Sequence, residues 1–444
     1  VKSYKALAGI PHLPRLFLWS MLARLNVSML PIGLTLVLVG WSDSYVAAGV
    51  LGGALTAGQA LVGPARGRAA DRGAVRKLLV LTGIGYLVGL GALVTMTRTV
   101  PGGGWPIAVL VALLTGMSTV PISQVSRAVW PKIVPGELGR TLFTLEATGS
   151  EVVQTTGPLL TSLLVTTLDP GYAVIACGVV AFVGALAFAA ALGSAGIRGG
   201  AERTAAEPEA ETGTAAGTGA DVGTEGDTAT SASAVTTASA PEPEERRTLF
   251  ALPKFTLAIV VTLVMMAALF SVNLSLVAWA RDSHQSGLSG VLVACWTIGS
   301  VVGGFGMGAL RKDVPHSARF AAMAAGMALL AVLLPPVTET APVWLVLVVL
   351  FLGGTAIAPS MAGNFAQVSG AVPQERRAEA FGWLATAGTG GAALSMPVTG
   401  VLLETSGPAT SVAVGAALAL CATVLSYIGS KRAERNDGLV SAGA

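Results

Sequence analysis

The chain has 444 residues, of which 53% are hydrophobic and only 11% charged, and Lys and Arg outnumber Asp and Glu by three. Soluble domains are about a quarter charged, so a soluble globular domain is excluded, and so small a net charge leaves no electrostatic footprint for nucleic acid. The three cysteines, Cys177, Cys295 and Cys421, lie inside apolar runs without a spaced pair, which points to buried structural thiols and away from a disulfide framework or a zinc site.

Taken in order, the apolar runs predict twelve membrane-spanning helices, each long enough to cross about 30 Å of hydrocarbon. The first six cover roughly 15–38, 45–66, 77–97, 105–128, 140–166 and 171–194. Lys2, Lys5 and Arg15 precede the first, which reads as a retained helix and not a cleaved signal. Residues 195–250 follow, rich in Ala, Thr, Gly, Ser, Glu and Pro; a stretch with so little apolar area is expected to be a disordered tether. The second six cover roughly 254–280, 287–310, 317–336, 342–368, 378–403 and 407–430, leaving a tail over 431–444. No segment has the ten-residue alternation of a membrane barrel.

Of the 27 Lys and Arg, only Arg98 and Arg281 fall at connections on one side, and Arg24 falls within a span. The positive-inside rule makes the other side cytoplasmic, with both termini and the 195–250 segment there. The halves also repeat. Gly116, Pro121 and Pro135 recur 238 residues later as Gly354, Pro359 and Pro373, Pro158 recurs as Pro397, and Gly58 and Gly63 recur as Gly299 and Gly304.

The short connection between spans 2 and 3 reads "GRAADRGAVRKLL". Together with twelve spans, a long central loop and duplicated halves, it resembles the major facilitator superfamily. The family's hairpin runs Gly-x-Leu-Ala-Asp-Arg-x-Gly-Arg-Lys; Gly67, Ala70, Asp71, Arg72 and Arg76 fall in register. Ala69 replaces the Leu, the second glycine comes one place early as Gly73, and Val75 replaces a basic residue. The second-half copy keeps Gly308 and Leu310, with Lys312 where the acid belongs. The resemblance implies an all-α polytopic fold of two pseudo-symmetric six-helix bundles, 1–194 and 251–430, rocking about a central site. It also implies that Asp71 latches the cytoplasmic side against the start of span 11, near Ala378 and Glu379, while Arg72 and Arg76 pair with acids at neighbouring helix ends. An acid beside a helix N-terminus gains about 0.3–1 kcal/mol. The alternative for the arginines is a topology signal alone. The span 4–5 connection, with Arg127, Pro131, Pro135 and Arg140, resembles small-molecule exporters of the superfamily.

Three charges fall where lipid should reject them: Arg24 in span 1, and Glu146 and Glu151 in span 5. Each costs around 2.5–3.5 kcal/mol on insertion scales unless paired or wet. Counting from Arg15 and Arg140 puts Arg24 and Glu151 at similar depth, which predicts an Arg24–Glu151 pair; Glu146, nearer the cytoplasm, would meet Arg127. Two readings stand, a proton-exchanging Glu151 tuned by Arg24 and a permanent salt bridge joining helices. No acid lies deep in spans 7, 8 or 10. By the resemblance, spans 1, 4, 7 and 10 line the cavity, so Asn26, Met29, Met117, Gln124, Asn273, Met361 and Asn364 become candidate substrate contacts, with helix packing as the alternative for each. Gly157-Pro158 is present in span 5, but Val153 and Thr144 stand where proton antiporters of the superfamily carry glycines.

No paired histidines, nucleophile elbow, phosphate loop or ATP-binding domain appears, so neither an enzyme nor a primary pump is indicated, and no cofactor or metal is implied. The reading is a monomeric, bacterial, plasma-membrane secondary transporter. Its partners are a small organic molecule, protons and membrane lipids, and its direction is proton-coupled efflux. Proton-coupled uptake and a non-transporting receptor or scaffold are the alternatives. The low aromatic content of 6% and the few inward polar groups favour an apolar or amphipathic substrate.

Overall fold

A computed structural model of the chain describes residues 6–71, 75–134, 137–194, 249–309, 314–373 and 376–442. The expected tether lies outside the described residues, apart from a short turn at Leu249–Ala251. The first half comprises α1 (Leu13–Ser42), α2 (Tyr45–Asp71), α3 (Val75–Thr99), α4 (Trp105–Met117), α5 (Ile122–Ile133), α6 (Glu137–Thr167) and α7 (Pro170–Ser194). The second comprises α8 (Pro253–Asp282), α9 (Leu288–Ala309), α10 (His316–Val332), α11 (Val343–Gly354), α12 (Ile357–Ala371) and α13 (Arg377–Ala442).

Among the described residues, nine helical segments are long and apolar enough to cross a membrane. One of them, Glu379–Lys431, breaks at Gly407 and crosses twice. Gly407 has φ +80° and ψ 176°, a region that in practice only glycine adopts. The short apolar α10 and the more polar α6, which carries Glu146 and Glu151, complete twelve crossings. Spans 4 and 10 depart from the expected continuous helices, because each is broken in mid-membrane, between α4 and α5 and between α11 and α12. The fault has a local cause: Pro121 and Pro359 each lack an amide hydrogen at the start of the second piece.

Packing within the halves is duplicated. In the first, α1 lies on α6 and α7, α2 on α4, and α3 on α7; in the second, α8 and α10 lie on α13, and α9 on α11. The repeated glycines do the same work in each copy. A Cβ at Gly58 would strike the carbonyl of Leu113 and one at Gly116 the carbonyl of Leu55; in the second half Gly299 faces the carbonyl of Phe351 and Gly354 that of Trp296. Small residues let membrane helices approach where no hydrophobic effect drives them together.

Each bundle has its own apolar core. In the first, Trp130 and Phe188 meet edge to face at 6.4 Å. The cores touch where Leu274, Ala278 and Leu403 join the first, and Ile32, Leu36, Val165 and Ala173 join the second. Large apolar side chains such as Leu81, Ile107, Trp344 and Leu420 are exposed, as a lipid-facing surface requires.

Candidate functional site between the bundles

The α1–α6 seam follows from helical phase. Gly149, Ser150, Val153, Gly157 and Thr161 recur at three- and four-residue steps and face α1. Gly149 receives Met21 and Phe17, Ser28 Oγ donates to the carbonyl of Val153 at 2.9 Å, and Thr161 Oγ1 donates to the carbonyl of Met29 at 3.0 Å. Glu146 begins this stripe. Arg24 crosses to it from α1 and forms an ion pair with Glu146, the two side chains only 8% and 3% exposed. The guanidinium also donates to Ser150 Oγ at 3.0 Å and to Ser126 Oγ of α5 at 2.5 Å.

The expected Arg24–Glu151 pair is therefore corrected to Arg24–Glu146. Equal depth was a sound inference, but depth ignores phase: five residues along a helix is a rotation of about 140°. Glu151 leaves the α1 face and turns into a groove between α6 and α9. The groove holds about 490 Å³ and is walled by Val152, Ile298, Val301 and Phe305, with Ala358 of α12 beside them. Glu146 is engaged by Arg24, and the Arg127 side chain once expected beside it lies outside the described residues.

Two cavities flank α1 and α8 and share Val27, Pro31, Phe270 and Asn273. One, of about 410 Å³, is lined by Arg24, Ser28, Ser123, Ser150, Gln154 and Thr297. The other, of about 350 Å³, is lined by Asn26, Thr56, Gln59, Tyr86, Thr119 and Met396. Of the seven candidate contacts, Asn26 and Asn273 line these walls. Met29 is buried in the first core and Met361 packs on the second. Asn364 is held by Thr262 Oγ1 at 2.5 Å and by the carbonyl of Ala258 at 3.3 Å. The backbone nitrogen of Met117 lies near Gly58, and Gln124 is exposed one residue from Ser123, which does line the cavity. Phe270 was missed because a lone Phe in an apolar run carries no signal. Thr56 and Gln59 did carry one, two polar groups three residues apart inside span 2.

We call the face on which α1 begins proximal, and its opposite distal. The described bonds between bundles gather at the distal end. Glu404 of α13 accepts from Ser44 Oγ at 2.5 Å and from the amide of Val46 at 2.9 Å, capping the first turn of α2. Tyr45 Oη donates to Asp282 at 2.5 Å, Arg281 lies over the Tyr45 ring at 5.9 Å, and Arg281 reaches Asp43 at 3.9 Å. Two glycines permit this closure, because a Cβ at Gly49 would strike the backbone of Met396, and one at Gly290 that of Pro158. Gly49 and Gly290 are 241 residues apart, the offset that already relates Gly58 to Gly299.

At the proximal end, Gly67 and Asp71 fall in the last turns of α2, but their side chains lie outside the described residues, as does Arg72 altogether. Arg76 is exposed in the first turn of α3. Glu379, near the latch's expected receptor, pairs with Arg376 at 3.0 Å. Among the described residues no group of three or more His, Cys, Asp or Glu gathers as a metal site would need.

A family model for the Major Facilitator Superfamily matches residues 16–340 and 258–441. No curated protein sequence matches the chain. Among solved structures, a D-xylose–proton symporter aligns with a TM-score of 0.67 at 11% identity, covering 94% of this chain and 97% of that one. A bacterial homologue of the iron transporter ferroportin aligns in its inward-facing state with a TM-score of 0.64 at 14% identity, over 93% and 97% of the two chains. In the outward-facing state the score is 0.59 at 15% identity, over 94% and 99%.

Proposed function

The chain belongs to the major facilitator superfamily, a family of transporters and not of enzymes, and on that footing we propose that it exports a small organic molecule across the plasma membrane in exchange for protons. Bundles 1–194 and 251–430 rock about the paired cavities, the proximal face is cytoplasmic, and the 195–250 segment is a tether between them. The observation that carries the coupling is the place of Glu151. It sits half-buried in the seam between bundles, and among the described residues it has no hydrogen bond or ion pair. Closing the proximal half brings α9 over it and strips water from the carboxylate, a step opposed by several kcal/mol unless a proton is taken up. A proton that reaches Glu151 from the open distal side in that state leaves to the proximal side on reopening, so its occupancy is tied to which face is open. Arg24 and Glu146, neutralised by each other, shape the wall on which substrate rests.

Gating follows the helix dipole at both faces. Glu404 holds α2 shut at the distal end in this state. Asp71 does the equivalent for α13 at the proximal end in the opposite state, with Gly67, Arg72 and Arg76 completing the hairpin. The export direction draws on the likeness of the span 4–5 connection to small-molecule exporters, and an apolar or amphipathic substrate suits cavities whose polar groups are mostly neutral.

The test is a panel of amphipathic and polar organic solutes in proteoliposomes under an imposed pH gradient. At least one solute should move against its gradient at the expense of the proton gradient. Glu151→Gln should abolish that coupling while leaving an assembled protein. Unchanged coupling in the variant removes Glu151 from the mechanism; absence of proton-driven flux for every solute removes the exchange itself.

A further inference from the structure

One cavity, of about 790 Å³, is not between the bundles. It lies on the outside of the second one, at the proximal end, where α8 begins and α13 finishes its last crossing. Its walls are apolar, with Phe250, Leu257, Val260, Leu425 and Ile428 as the large residues, and Lys254 stands at its rim in the first turn of α8. Phe250, Val260 and Ile428 are 44%, 41% and 43% exposed. From Pro253 to Val260 the groove descends about 10 Å along the helix, most of the depth of one leaflet's hydrocarbon. Lys254 makes no ion pair among the described residues.

We propose that this groove is a binding site for an anionic phospholipid, with one acyl chain along Leu257, Val260 and Leu425 and the headgroup phosphate on Lys254. The apolar trough alone would take any chain. The unpaired cation at its rim selects the headgroup, because a Lys at the membrane surface attracts anionic lipid by about 1 kcal/mol. The lipid also steadies the entrance to α8. Phe250, at the groove's mouth, stacks edge to face on Trp383 of α13 at 5.0 Å and on Phe255 at 5.7 Å, so an occupied groove braces the chain where it re-enters the membrane after the tether.

The experiment is a lipid titration of the full chain in detergent micelles, read by native mass spectrometry, with phosphatidylglycerol and phosphatidylcholine of identical chains. The glycerol lipid should bind about fivefold more tightly. Lys254→Gln should bring it down to the choline lipid's level, and Val260→Trp, which fills the groove from an exposed position, should weaken both. Equal binding of the two lipids to the unaltered chain overturns the proposal, as does phosphatidylglycerol binding that neither substitution changes. If tight binding emerges only after residues 201–245 are deleted, that acidic segment is the groove's occupant and the lipid assignment falls.

Discussion

Removing the charge of Glu146 while keeping its shape, as in Glu146→Gln, isolates what the buried pair contributes. The Arg24 side chain is 8% exposed and its partner 3%, so the substitution takes the counter-charge from a guanidinium in a low-dielectric seam, where Ser126 and Ser150 still accept from it. Breaking a buried pair from one side is destabilising by about 3–5 kcal/mol, whereas replacing both members with apolar residues of similar size is often neutral. Glu146→Gln and Arg24→Met should therefore each lower the thermal midpoint of the purified protein severely, and Arg24→Met with Glu146→Leu should recover most of the loss. Each serine bond to the cation is worth about 1.5–3 kcal/mol, so Ser126→Ala should fall between. Glu151→Gln, at a half-exposed position on another face, should shift the midpoint little. Intrinsic fluorescence and light scattering during a temperature ramp report all five. The pairing is refuted if Glu151→Gln destabilises as much as Glu146→Gln, or if Arg24→Met is rescued by Glu151→Leu and not by Glu146→Leu.

Glu404→Ala removes a helix cap worth about 1 kcal/mol, so distal closure should lose about fivefold in population; spin labels at exposed Thr99 and Thr340 should show a longer-distance component absent from the parent. Gly49→Val places a side chain on the Met396 backbone and should abolish transport by holding the distal seam open, while Gly91→Ala, which meets nothing within 4 Å, should transport normally; equal activity in the two would dissolve the seam argument. Gly407→Ala forces an L residue into a backbone region that costs about 1–3 kcal/mol, and should lower the thermal midpoint without altering the Thr99–Thr340 distances.

Much of the fold was legible because lipid imposes a simple rule on composition: runs of spanning length had to be helices, and their number followed. The internal repeat was legible too, and in the structure its glycines are the points where paired helices touch. The breaks in spans 4 and 10 were not foreseen, although Pro121 and Pro359 mark them, because prolines are common in membrane helices and most only bend them. At the site, depth could be counted but azimuth could not, which is why Arg24 was assigned to Glu151 when Glu146 holds the stripe facing α1. Asn26 and Asn273, read as polar groups on spans expected to line the cavity, stand in cavity walls. Asn364 looked the same in sequence and is instead held by Thr262 and the carbonyl of Ala258, a fact of tertiary packing. The helix cap at Glu404 was invisible, since its receptor lies 360 residues away at Ser44.

Two of the lines along which the bundles meet share a glycine–proline contact, Gly49 against the Met396–Pro397 step and Gly290 against Pro158, yet they are fastened differently. The α2–α13 line is bolted by the Glu404 carboxylate, and by the Pro158–Pro397 offset the residue corresponding to Glu404 is Val165. Among the described residues the α6–α9 line carries a neutral bond, from the amide of Gly290 to Ser162 Oγ at 2.7 Å, and no ion pair. Separation of the bundles should thus resemble a book opened from its unclasped edge, with α6 and α9 parting first and the spine giving way last, so that a solute leaving toward the distal side departs past Ser162 before any path beside Tyr45 exists.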